Sequence, residues 1–310
     1  MTDTKNLAIN FLHLALKNPL VLASGILGTS PSLMERVALA GAGAITSKSC
    51  GPEARAGHDN PVALAWQGGV INAIGLTNPG ADEEVPLLAE TKGRLSVLGV
   101  PLFASIFAPT LEQFGEVARI ISKAQPDLIE VNISCPNVAS EFGTPFSASE
   151  KSAAEVTRAV RRATSLPISI KLSPNVPNIA AIARAVVDEG ADAITAVNTM
   201  PAMLIDAYAG MPILKNRTGG LSGPALKPIA LRCVAEIAQQ VAVPIVGTGG
   251  VMSGVDAAEM IMAGATLVGV GSAVWQDGPQ AFTRINAELS QFMQIAGYQK
   301  VEEIRGNALR

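Results

Sequence analysis

Eight short apolar runs recur along the chain, each separated from the next by a longer stretch with helical character: Leu20–Ala23, Ala44–Ser47, Leu102–Ile106, Leu128–Ile133, Ile168–Leu172, Ala193–Val197, Ile245–Gly247 and Thr266–Val270. Runs this short that are apolar at nearly every position suit strands buried on both faces, as in a parallel sheet. The stretches between them carry helix start and stop signals. Thr110 with Gln113 has capping-box spacing, Pro31, Pro224 and Pro279 suit first helical positions, and Ser149, Asn178 and Ser253 suit N-caps. Gly41, Gly190 and Gly264 fit the position just past a helix end. Eight β-α units in 310 residues predict an α/β fold, a closed (β/α)8 TIM barrel forming one domain over residues 1–310. No G-x-G-x-x-G opens a helix after the first run, which argues against an open dinucleotide-binding sheet.

Two long insertions interrupt the alternation, Cys50–Gly80 after the second run and Met200–Gly223 after the sixth. Both leave the carboxyl ends of strands, where barrel enzymes build their active sites.

Composition removes several other classes. With 48% hydrophobic residues the chain can bury a substantial core, and a formal charge of −3 leaves no polybasic field for nucleic acid or an anionic membrane. Three distant cysteines (Cys50, Cys135, Cys233) and two histidines supply neither a zinc ribbon nor an iron–sulfur cluster, so no metal site is expected. The opening MTDTKNLAINF lacks the pattern of a signal peptide, and the uncharged stretches Ile237–Val255 and Met260–Gln276 are broken by proline or glycine. A cytoplasmic protein is predicted.

Candidate chemistry gathers at the strand ends. The last two runs finish in Gly247-Thr248-Gly249-Gly250 and Gly269-Val270-Gly271-Ser272, where bare backbone suits a phosphate. Lys48 and Lys171 end the second and fifth runs, as charge recognition for an anion or reduced cofactor, or as a Schiff-base nucleophile. Cys135 sits in the polar segment Asn132-Ile133-Ser134-Cys135-Pro136-Asn137, a place for a base or nucleophile, whereas Cys50 and Cys233 read as structural. The amides of Asn72, Asn132, Asn137 and Asn198, with Thr199, suit a planar imide or carboxamide ring.

Read together, these loops resemble the class 1 dihydroorotate dehydrogenases, FMN-containing barrels of pyrimidine synthesis. The matching residues are Ala23-Ser24-Gly25, Lys48-Ser49, Asn72 through Gly80, Asn132 to Asn137, Lys171 to Asn175, Asn198-Thr199, Gly219 to Ala225 and Gly249-Gly250, in family order across nearly the whole chain. A cysteine at 135 is the class 1 base, and TGGLSGPAL with the Thr77-Asn78 neighbourhood is most similar to the class 1B catalytic subunit. The resemblance implies oxidation of (S)-dihydroorotate to orotate, with Cys135 as catalytic base and FMN as hydride acceptor. It implies cofactor contacts from Ser24, Lys48, Ser49, Ser105, Asn132, Lys171, Val197, Gly223, Gly249, Gly250, Gly271 and Ser272, with Ser105 standing where the family commonly has asparagine. Substrate contacts would come from Lys48, Asn72, Ala73, Ile74, Gly75, Leu76, Asn132, Asn198 and Thr199. It also implies a homodimer joined to an electron-transfer subunit that carries FAD and a [2Fe-2S] cluster and reduces NAD. Neighbouring alternatives are a class 1A fumarate-dependent enzyme and a dihydropyrimidine dehydrogenase-like enzyme. Outside that chemistry stand a flavin-free Schiff-base barrel lyase and a barrel that only binds a phosphorylated ligand.

Overall fold

The computed structural model describes residues 7–134 and 145–310. Eight parallel strands close into a barrel: Leu20–Leu22, Ala44–Thr46, Leu102–Ile106, Leu128–Asn132, Ile168–Leu172, Ala193–Ala196, Ile245–Thr248 and Leu267–Val270. Each pairs with its successor, and the eighth returns to the first with Val268 opposite Leu20. All eight apolar runs are therefore barrel strands, with ends displaced by one residue at most. Their side chains are buried almost without exception because the barrel interior packs one face and a ring of helices packs the other.

That ring begins and ends where local chemistry dictates. The hydroxyl of Ser30 caps the helix Pro31–Leu39, and Thr110, Ser149, Asn178 and Ser253 accept from backbone N–H groups at the starts of Leu111–Ile121, Glu150–Ala163, Ile179–Asp188 and Gly254–Met262. Among the described residues only Ser253 completes a reciprocal capping box, with Asp256. Thr110 donates its hydroxyl to the Gln113 side chain instead. Gly41, Gly190 and Gly264 follow helix ends with φ of 105°, 95° and 114°. Pro224 and Pro279 stand in the first turn as expected, but of the short 3-10 turns Pro224–Leu226 and Gly278–Gln280, which run directly into the α-helices Lys227–Ala238 and Ala281–Ala296.

The two insertions carry strands that local periodicity did not show. Met200–Ala202, Gly219–Ser222, Gly69–Asn72 and Ala63–Trp66 form an antiparallel sheet in that order, with Gly220 opposite Asn72 at the seam between the insertions. A small separate core of Ile71, Ala73 and Leu214 supports this sheet. At the opposite end, a hairpin of Ile9–Phe11 with Leu14–Leu16 packs Phe11 against Phe103 near the start of the third strand, ring centroids 5.9 Å apart. Among the described residues no helix is long and apolar enough to cross a membrane.

Candidate active site

The carboxyl ends of the strands and the insertion sheet enclose an open cleft of about 1250 Å³, counting the space at its mouth. Polar residues at alternate positions of otherwise apolar strands build its floor, Asn132 and Lys171 at the cleft itself and Glu130 and Ser169 in the layer beneath. Alternation turns Glu130 and Asn132 of LIEVN, and Ser169 and Lys171 of ISIKL, toward the barrel axis, while Ile129, Val131, Ile168 and Ile170 pack outward against helices. Register brings Asn132 beside Lys171 and Ser105 beside Glu130.

Lys171 is 6% exposed, and its ammonium donates to Glu130 Oε1 at 3.4 Å. The same oxygen accepts from Ser105 Oγ at 3.3 Å. Ser105 and Ser49 hydroxyls lie 2.8 Å apart, and Ser49 Oγ accepts from Asn132 Nδ2 at 3.4 Å. Ser24 Oγ donates to the Ser47 carbonyl at 2.8 Å and stands 3.3 Å from Ser49 Oγ. A continuous polar web thus joins the first five strand ends.

On the other side of the floor, Asn198 Nδ2 donates to Ser134 Oγ at 2.9 Å and to the Ser134 carbonyl at 3.1 Å, tying the end of the sixth strand to the segment that leaves the fourth. The insertion sheet closes over one side, with Asn72 Nδ2 donating to the Gly220 carbonyl at 3.4 Å. Ile74, Gly75, Leu76 and Thr199 line the same side.

The glycine loops complete the wall. Gly249 and Gly250 have φ of 139° and 74°, and a Cβ on Gly250 would stand 2.7 Å from both the Gly223 carbonyl oxygen and the Lys227 amide nitrogen. These two positions must be bare for the loop to close. Gly271 is different. Its φ is negative and an added Cβ would meet nothing nearer than Ala23 Cβ at 3.6 Å, so the protein itself does not require a glycine there. The space it leaves faces the cleft beside Ser272, as a phosphate cradle needs.

Sixteen of the anticipated positions line this one cleft: Ser24, Lys48, Ser49, Asn72, Ile74, Gly75, Leu76, Asn132, Lys171, Val197, Asn198, Thr199, Gly249, Gly250, Gly271 and Ser272. Three do not. Ser105 is buried beneath Ser49, Ala73 turns into the small core of the insertion sheet, and Gly223 packs behind Gly250. Cys135 and Asn137 lie outside the described residues. Sequence reasoning passed over Glu130 and Trp275. Glu130 had a legible signal, a lone carboxylate two positions before Asn132 in an apolar strand, whereas Trp275 has none.

Lys48 is half-buried at the rim, with two titratable neighbours behind it. Burial pushes the Glu84 carboxyl up to about 7, with Lys48 pulling it back. Burial, with Glu84 adding to it, raises the Cys50 thiol far above the ordinary thiol range, so Cys50 stays a neutral packing group. Burial likewise raises the Cys233 thiol in helix Lys227–Ala238.

A closed barrel whose mouth joins a buried lysine, converging amides and bare phosphate-type loops has the arrangement of a barrel enzyme with its active site at the carboxyl ends of the strands. The sequence pattern of dihydroorotate dehydrogenases matches residues 6–293. Proteins named dihydroorotate dehydrogenase B (NAD(+)), catalytic subunit, are similar along their whole length. That of Methanocaldococcus jannaschii is 41% identical over 302 residues, covering 97% of this chain and 98% of its own. That of Anoxybacillus flavithermus is 42% identical over 308 residues, covering 97% and 96%. That of Pyrococcus abyssi is 38% identical over 304 residues, covering 98% and 99%. The chain belongs to the dihydroorotate dehydrogenase family, and it is an oxidoreductase of pyrimidine synthesis that oxidises dihydroorotate.

Proposed function

We propose that the chain is the catalytic subunit of an NAD-linked dihydroorotate dehydrogenase, one FMN-binding barrel over residues 1–310 that works in the cytoplasm as a homodimer joined to an electron-transfer subunit carrying FAD and a [2Fe-2S] cluster. The observation that carries this reading is the convergence on one cleft of Lys48, Asn72, Asn132, Asn198 and Thr199 with the buried Lys171 and the loops at 249–250 and 271–272.

In this reading the bare loops would hold the FMN phosphate, and Ser24, Ser49, Asn132 and Lys171 would hold the ring system. Bound FMN would supply hydride acceptance, the part of the chemistry no side chain can perform. Cys135, as thiolate, removes the proton from C5 of dihydroorotate while the hydride leaves C6. The amides of Asn72, Asn132 and Asn198 offer paired donors and acceptors to the pyrimidine imide, and Lys48 offers its charge to the carboxylate. Lys171 would offer its positive charge to a reduced flavin held there.

The test is an anaerobic absorbance titration of the purified chain with dihydroorotate after incubation with FMN. Bleaching of a flavin spectrum at stoichiometric substrate is expected, and NAD reduction only once the partner subunit is added. A folded chain that stays colourless removes the flavin. Useful turnover of fumarate by the lone chain removes the NAD-linked assignment, and a borohydride-trapped lysine adduct without flavin would move the chemistry to a Schiff base.

A further inference from the structure

Glu130 has no contact with the cleft, yet it is the acidic partner of a lysine that does. It is 4% exposed, and its Oε1 accepts from both Lys171 Nζ at 3.4 Å and Ser105 Oγ at 3.3 Å. Ser105 is in turn 2.8 Å from Ser49 Oγ, so the carboxylate is anchored to the wall of the cleft on one side and to its floor lysine on the other. Burying two opposite charges this deeply is costly, and well-packed apolar residues of similar volume generally serve stability as well or better. The pair therefore calls for a reason other than packing. Its place supplies one: Lys171 and Ser49 both line the cleft, while Glu130 and Ser105 stand immediately behind them.

We propose that Glu130 is a positioning residue for the redox reaction: fixed by Ser105, it holds the Lys171 ammonium at the floor of the cleft and offsets its charge, so that the protein presents a nearly neutral pair to the oxidised flavin. The inference rests on the flavin reading above and deepens it. It also gives Ser105 a role. A short hydroxyl in this position reaches Glu130 and Ser49 rather than the cleft. A negative charge fixed behind the lysine opposes accumulation of negative charge on the ring, so Glu130 keeps the bound flavin a weaker oxidant than Lys171 alone would make it.

Glu130→Gln tests this, because it keeps an oxygen for both donors and removes only the charge. Wild type and variant, each reconstituted with FMN, are compared by anaerobic reductive titration against a redox dye. The variant is expected to favour reduced over oxidised FMN at least tenfold more than wild type, a rise of about 30 mV for a two-electron couple, without losing its yellow colour. Glu130→Asp keeps the charge but withdraws it by one methylene, and its potential is expected between the other two. An unchanged or lowered potential in Glu130→Gln overturns the inference, as does a Glu130→Asp value outside that interval. If Glu130→Gln does not fold by circular dichroism, Glu130→Asp carries the test alone, and a potential equal to wild type overturns it. A wild-type chain that binds no FMN overturns the flavin reading and this inference with it, whereas a yellow wild type with an unshifted variant overturns this inference alone.

Discussion

At Gly271 and Gly250 one residue type meets two different demands. Gly250 is held at φ 74° with Gly223 and Lys227 backbone atoms where a side chain would go, so Gly250→Ala must displace the loop. Gly271 has room, so Gly271→Ala should leave the stability of the flavin-free chain within about 0.5 kcal/mol of wild type in urea unfolding. Both variants should bind FMN at least tenfold more weakly in a fluorescence titration, roughly 1.4 kcal/mol. A Gly271→Ala protein of unaltered FMN affinity would place the phosphate somewhere else. Cys135→Ser is predicted to keep FMN and lose turnover by about 10²-fold or more, since a serine is a far poorer base at neutral pH. An unaltered steady-state rate would take Cys135 out of the reaction. The Lys48 and Lys171 pair was legible because each ends an apolar run, and the structure adds what the run could not show. Lys171 is buried against a carboxylate, while Lys48 sits half-exposed at the rim.

The helix Ala81–Leu98 starts without a side-chain cap and has Asp82, Glu83 and Glu84 in its first turn, of which Glu84 is buried. Its carboxyl, raised to about 7 by burial, keeps its proton in the folded chain at pH values where the unfolded chain, near 4.5, has lost it. More protons bound in the folded state means that stability falls as pH rises from 4.5 to 7, by on the order of 3 kcal/mol, and is not recovered above that window. Glu84→Gln, uncharged throughout, should therefore gain in Tm relative to wild type between pH 5 and pH 8. Parallel curves for the two proteins would show that Glu84 is already ionised at pH 5. Elements of the barrel were legible because each announces itself locally: an apolar run, a capping hydroxyl, a glycine after a helix. The strands Ala63–Trp66 and Gly69–Asn72 were not, because the first buries none of its residues fully and the second only Val70 and Ile71, with Gln67-Gly68 between them and no helix signal to set off a β-α unit.

On the scale of the whole molecule, the site depends on two insertions that leave the second and sixth strands and meet across the mouth. The Asn72 to Gly220 hydrogen bond joins residues 148 positions apart, and no local pattern in a sequence announces a pairing of that span. Composition at the seam becomes intelligible only once the pairing is known. A Cβ on Gly219 would approach the Asn72 carbonyl oxygen to 2.6 Å, and one on Gly220 would fall 2.0 Å from Thr199 Oγ1. Bare backbone here lets the sheet close while Asn72 and Thr199 both face the cleft. Gly220→Ala must push Thr199 aside or part the seam, yet the sheet has a core of its own in Ile71, Ala73 and Leu214, with Met200 as a contact to the barrel's. The damage should accordingly stay with the substrate. KM for dihydroorotate is expected to rise about tenfold, near 1.4 kcal/mol, with FMN retention and thermal unfolding close to wild type. Loss of FMN or a large fall in Tm, with KM unmoved, would show instead that the insertion sheet braces the barrel and that substrate is held by the strand ends alone.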